Sequence, residues 1–160
     1  MITAIDTNVL VDVLEDSDEF YEKSGQLLKS QSSLGSLIIS PIVFSEILVF
    51  FLHKYELQQA SSKLDEFLNS LSIEIVPFDK EDFISAAEAW LKFSLKNEVN
   101  CPNCGALNAF LCKKCRSTVK WRNHMITDFL IGAHAQSNAD VLLTRDRGYY
   151  LKYFNLKIMP

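Results

Sequence analysis

The chain has 160 residues, 48% hydrophobic and 22% charged, enough for one domain with a sizeable core and too few for a second domain of ordinary size. Its net charge of −4 is unevenly spread, because seven acids precede the first basic residue, Lys23, whereas none lies between Val99 and Thr127. Local charge therefore informs on partners better than the total does, and a uniformly basic nucleic-acid binder is excluded.

No basic region precedes an apolar stretch in the opening MITAIDTN, so we expect no secretory leader and a cytoplasmic protein. The most apolar run, Leu37 to Leu52, is broken by Ser40, Pro41, Ser45 and Glu46. A carboxylate in mid-bilayer costs roughly 2.5 kcal/mol or more, so the run is expected to form a buried strand and helix and not a membrane span.

In chain order, Ile2 to Ile5 is a short apolar strand that stops at Asp6-Thr7-Asn8, before Val9 to Leu14 takes up helical spacing. A second helix is predicted from about Glu19 to Ser33, then a strand at Leu37-Ile38-Ile39. Ser40-Pro41 supplies the N-cap and first-position proline of a third helix. Residues from about Leu57 to Leu71 set Ala60, Leu64, Phe67, Leu68 and Leu71 on one face, and Ile73 to Val76 reads as a third strand.

A helix from about Lys80 to Lys96 follows, with Phe83, Ala86, Ala87, Trp90 and Leu91 as its stripe. Asn97 to Arg122 breaks the pattern with a proline, a glycine and four cysteines, and helical spacing returns near Met125 to Gln136. Val141 to Leu143 and Leu156 to Ile158 are the last strand candidates. Strands alternating with amphipathic helices predict a three-layer α/β/α sandwich around a mainly parallel sheet of four or five strands. No internal repeat or linker divides residues 1–160, and a small insert spans residues 98–122.

All four cysteines fall within that insert as two CxxC pairs, Cys101 with Cys104 and Cys112 with Cys115. Four thiolates suit one tetrahedral structural Zn²⁺, with a shorter connecting loop than usual zinc-ribbon spacing; iron remains an alternative from the ligands alone. A thiol-redox reading is weaker, since it leaves the second pair without a role. Either way His124 and His134 are surplus as ligands and read as surface or packing residues. Lys113, Lys114, Arg116, Lys120 and Arg122 form a basic stretch suited to RNA phosphates, and Phe110 and Trp121 suit stacking on unpaired bases or packing of the insert.

In open parallel sheets ligands bind beyond the carboxyl ends of the strands. Asp6 and Asp146 follow predicted strands, Glu46 lies in the helix after the second strand, and Asp128 opens the helix before Val141. Clustered carboxylates repel one another unless a cation neutralises them, and their hard oxygens suit Mg²⁺ or Mn²⁺ and phosphodiester hydrolysis. Each acid also has a plainer reading: Asp6 as a helix cap, Glu46 on a solvated face, Asp128 as a first-turn acid, Asp146 as an ion-pair partner. Asp12, two turns past Asp6, and Asp140, ahead of its strand, are left out.

Four segments in order, AIDTNVLVDVL, SPIVFSEIL, ITDFLIGAHA and ADVLLTRDRGYY, resemble the signature segments of PIN-domain proteins and are most similar to VapC-type toxin nucleases. The resemblance covers nearly the whole chain and implies RNA cleavage with Mg²⁺ or Mn²⁺ at Asp6, Glu46, Asp128 and Asp146. It further implies positioning roles for Thr7, Asn8 and Thr144, a homodimer, and an antitoxin partner that blocks the acidic site. The cysteine insert departs from most VapC-type proteins. Two other readings stand beside this one: a non-catalytic RNA-binding scaffold built on the zinc module, and a nuclease of RNA maturation.

Overall fold

A computed structural model describes residues 1–15, 20–94, 99–100, 107–108, 114–116, 126–146 and 150–159. In chain order the elements are β1 (Ile2–Ile5), α1 (Thr7–Leu14), α2 (Tyr21–Leu34), β2 (Ser36–Ile39), α3 (Pro41–Leu52), α4 (Leu57–Ser70), β3 (Ile73–Ile75), α5 (Lys80–Ser94), β4 (Val99–Asn100), β5 (Leu107–Asn108), α6 (Thr127–Asn138), β6 (Val141–Leu143), α7 (Tyr150–Tyr153) and β7 (Ile158–Met159).

Five strands form one sheet in the order β3-β2-β1-β6-β7, every neighbouring pair parallel. The central strands β1, β2 and β6 are apolar and buried along almost their full length, as strands covered on both faces must be, while edge strands β3 and β7 are partly exposed. This is the expected α/β layering, with the strand count at five. The chain runs outward from β1 through β2 to β3, then returns to the other side of β1 to place β6 and β7. The direction of winding therefore reverses between β1 and β6, the position where such sheets open a ligand crevice.

Helix starts follow local chemistry. Asp6, in extended conformation, caps α1 by accepting from the Thr7 N–H, and Ser40 Oγ accepts from the Val43 N–H at 3.3 Å, just ahead of Pro41 at the first position of α3. Helix α6 is buried on most sides through Phe129, Ile131, Gly132, Ala133, His134 and Ala135, and so runs through the core instead of lying on it. Gly132 permits this: a Cβ there would meet the Phe154 ring at 2.5 Å. Phe129 stacks among Trp90 at 5.6 Å, Phe93 at 5.5 Å and Tyr153 at 5.5 Å between ring centres, locking α5, α6 and α7 together.

The sequence reading has no counterpart for α7, a single turn too short to show a period. The last strand falls at Ile158–Met159, near the end of the predicted Leu156–Ile158 segment. Within the insert the described residues comprise the antiparallel pair β4–β5 and an exposed turn at Lys114 to Arg116. Cys101, Cys104, Cys112, Lys113, Lys120, Trp121, Arg122, His124 and Phe110 lie outside the described residues. His134 is a packing residue, buried with its Nε2 2.9 Å from the Val76 carbonyl oxygen. Among the described residues no helix is long and apolar enough to cross a membrane.

Candidate acidic site at the sheet's switch point

Parallel register between β1 and β6 sets Ile5 beside Leu143, so the residues that follow, Asp6 and Thr144, leave the sheet side by side. The Asp6 N–H donates to the Leu143 carbonyl at 2.9 Å, which extends the ladder by one bond. Thr144, wholly buried, donates from Oγ1 to Asp6 Oδ2 at 2.6 Å and accepts the Asp146 N–H at 3.0 Å. One hydroxyl thus ties the acid after β1 to the backbone of the acid after β6.

Asn8, on the first turn of α1, completes the tie. Its amide Nδ2 donates to Asp6 Oδ2 at 2.6 Å and to Thr144 Oγ1 at 3.2 Å, while its Oδ1 accepts the Arg145 N–H at 3.1 Å. The neighbouring Thr7 N–H donates to Asp6 Oδ1 at 2.8 Å, and the Thr7 hydroxyl donates to Glu46 Oε2. Glu46 is half-buried on α3, neither a fully solvated surface acid nor an unpaired core acid. Asp128, half-buried, enters from the first turn of α6.

Asp6 feels the charges of Asp128 and Glu46, and Asp128 those of Asp146 and Glu46. Burial pushes the Asp6 carboxyl up to about 6; the Thr144 and Thr7 hydrogen bonds oppose that rise, and the charges of Asp128 and Glu46 add to it. Burial likewise pushes Asp128 up to about 6, with Asp146 and Glu46 as the repelling neighbours. Two carboxyls raised by low dielectric and like charge are a site short of positive charge.

Among the described residues no three His, Cys, Asp or Glu side chains are close enough to form a ready-made metal cage. Mg²⁺ does not require one, since it keeps several waters and is usually held by one or two carboxylates. An all-oxygen donor set with two carboxyls protonated more readily than normal fits that ion or Mn²⁺. The described part of the cysteine array is Cys115 alone, exposed in the turn that also carries Lys114 and Arg116.

Asp12 was left out on sequence, and Arg145 and Tyr150 were given no role at the site there. Asp12 is fully buried, accepts from Ser24 Oγ at 2.7 Å, and lies 2.9 Å from the Arg145 guanidinium, an electrostatic approach without hydrogen-bond alignment. Arg145 also covers the Phe20 ring at 4.4 Å. The one available signal was a carboxylate inside the apolar run TNVLVDVL. Tyr150, at the start of α7, is buried, and its hydroxyl has no hydrogen-bond partner among the described residues. Nothing in its spacing marks it. Asp140, set aside on sequence, accepts the Ile2 N–H at 2.7 Å and serves the start of β1.

Solved structures with the same fold include VapBC2 from Rickettsia felis bound to a DNA fragment from its promoter, with 23% identity and a TM-score of 0.64, covering 99% of this chain and 98% of that one. VapBC-1 from nontypeable Haemophilus influenzae matches with 14% identity and a TM-score of 0.66, covering 99% and 97%. VapC20 from Mycobacterium tuberculosis, a toxin that cleaves the sarcin-ricin loop, matches with 10% identity and a TM-score of 0.55, covering 95% of each chain. No curated protein sequence matches as a relative. The profile of the PIN domain, however, matches residues 3–155, almost the whole chain, and the protein therefore belongs to the PIN domain family.

Proposed function

We propose that the protein is a metal-dependent endoribonuclease and the toxin of a toxin–antitoxin pair. The observation that carries this reading is the meeting of Asp6, Glu46, Asp128 and Asp146 where the sheet reverses its winding, with Asp6 and Thr144 joined at 2.6 Å. PIN-family membership supports nuclease chemistry, and the fold shared with VapC20, an RNA-cleaving toxin, supports RNA as the substrate.

Asp6 and Asp128 would hold the divalent cation, with Glu46 and Asp146 at the periphery of the same cluster. When bound, the cation supplies Lewis-acid stabilisation of negative charge on the scissile phosphate and makes water a better nucleophile. The protein's own residues supply fixed geometry. Thr7 and Asn8 hold both oxygens of Asp6, Thr7 also fixes Glu46, and Thr144 sets the backbone of Asp146. Such preorganisation removes most of the reorientation otherwise needed as the phosphate reacts.

The VapBC neighbours are complexes, which supports an antitoxin as partner, and we extend the same reading to a homodimer. For the insert we propose a structural Zn²⁺ held by Cys101, Cys104, Cys112 and Cys115 and an RNA-gripping role for Lys113, Lys114, Arg116, Lys120 and Arg122; the CxxC spacing and the exposure of Lys114 and Arg116 support this. Metal analysis of the purified protein reports on the zinc directly.

The deciding experiment is RNA cleavage by purified protein with Mg²⁺ or Mn²⁺, with EDTA, and by Asp6→Asn and Asp128→Asn variants. Loss of at least a hundredfold in rate in each of the last three is expected. Cleavage that persists in the variants removes the assignment.

A further inference from the structure

A buried hydroxyl without a partner costs about 1–3 kcal/mol, and native structures rarely keep one without a reason. Tyr150 is such a group: the side chain is 1% exposed and its hydroxyl has no partner among the described residues. Its position narrows the reason. Tyr150 opens α7 four residues after Asp146, and α7 packs on α6, the helix whose first turn carries Asp128.

We infer that the Tyr150 hydroxyl is a positioning group of the acidic site, hydrogen-bonding through water to the Asp6 and Asp128 carboxylates and thereby ordering the hydration of the cation they hold. The inference rests on the metal-site reading above.

Chemistry favours a phenol in this place. A neutral hydroxyl both donates and accepts, so it can order water beside carboxylates without adding a fifth negative charge. Burial and then the charges of Asp6, Asp128, Asp146 and Glu46 hold the phenol well above its usual range, so it stays protonated at every working pH. That these four acids are the charges acting on the phenol agrees with the packing of α7 on α6 beside Asp128. Phenylalanine fills the same volume, so the hydroxyl adds nothing to packing, and only its hydrogen-bonding capacity distinguishes the two residues.

The test compares wild type, Tyr150→Phe and Asp6→Asn as purified full chains, by calorimetric Mn²⁺ titration, metal-free thermal unfolding and RNA cleavage. For Tyr150→Phe we expect unchanged or raised metal-free stability, Mn²⁺ affinity reduced about fivefold or more, and kcat reduced about tenfold with KM little altered. Wild-type Mn²⁺ affinity and kcat in Tyr150→Phe would overturn this role while leaving the metal site intact. So would a loss confined to metal-free stability, because that is the mark of a purely structural residue. If wild type and Asp6→Asn bind Mn²⁺ equally poorly, the metal-site reading itself falls, and this inference with it.

Discussion

Arg145 and Asp12 meet at 2.9 Å between the connection after β6 and the buried side of α1, with the guanidinium stacked on Phe20 and Ser24 holding the other carboxylate oxygen. The backbone N–H of this arginine also binds Asn8 Oδ1. A single residue therefore docks the strand end that carries Asp146 against the helix start that carries Asp6. Replacing Arg145 by Met strands a buried carboxylate with one hydroxyl donor. We expect a loss of about 1–3 kcal/mol, read from the urea midpoint, and a smaller loss for Asp12→Asn, because the guanidinium it leaves without a counter-charge is 38% exposed and can be hydrated. An unchanged midpoint in Arg145→Met would show that the pair holds nothing.

The acidic cluster should make the metal-free protein less stable as pH rises. Asp6 and Asp128 both titrate near 6 when folded against 3.8 for an ordinary aspartate, so the folded state binds more protons between those values. Their contribution is fully present below pH 3.8 and is lost as pH rises through 6. Melting in EDTA should accordingly show wild type losing stability between pH 4.5 and 7, beyond what Asp6→Asn and Asp128→Asn lose. Both variants should melt above wild type at pH 7. Lower melting temperatures for both would mean that the carboxylates stabilise the fold in their charged form.

Cation binding should reverse that penalty. Mn²⁺ at about a hundred times its dissociation constant stabilises the folded state by about 2.7 kcal/mol if the unfolded chain does not bind it. The rise in melting temperature should be larger at pH 7.5 than at pH 5, where protons compete for Asp6 and Asp128, and nearly absent in Asp6→Asn. A rise of equal size in the variant would place the ion elsewhere.

Gly132→Ala tests how α6 is threaded through the core. The added methyl meets three Phe154 ring atoms within 3.0 Å, and Phe154 is itself buried, so the ring cannot swing away freely. Overpacking of this kind costs about 1–3 kcal/mol. Pairing the change with Phe154→Leu should recover part of the loss in a double-mutant cycle. Additive losses would show that the two sites do not touch.

Much of this fold was legible from local pattern. Apolar runs bounded by Asp6 and by Ser40-Pro41 marked strand ends and helix starts, because capping chemistry acts within a few residues. Alternation of short strands with amphipathic helices was enough for a layered parallel sheet, since parallel neighbours require crossovers. The four acids could be nominated from their positions after strands or in the helices flanking them, aided by likeness to PIN-domain segments.

Tertiary structure decided what no local pattern encodes. The order β3-β2-β1-β6-β7 puts residues 6 and 144 side by side although 138 positions separate them, and only that adjacency turns a helix cap into one member of a charged cluster. Asp12, left out on sequence because it lies two turns past Asp6, gains its partner only when Arg145 arrives from the far end of the sequence. Tyr150 looked like one aromatic among many, because burial of a hydroxyl and the lack of a partner for it are properties of the packed interior. Propensity, capping and periodicity are short-range effects carried by neighbouring residues, whereas proximity, desolvation and charge repulsion exist only once distant segments have been brought together.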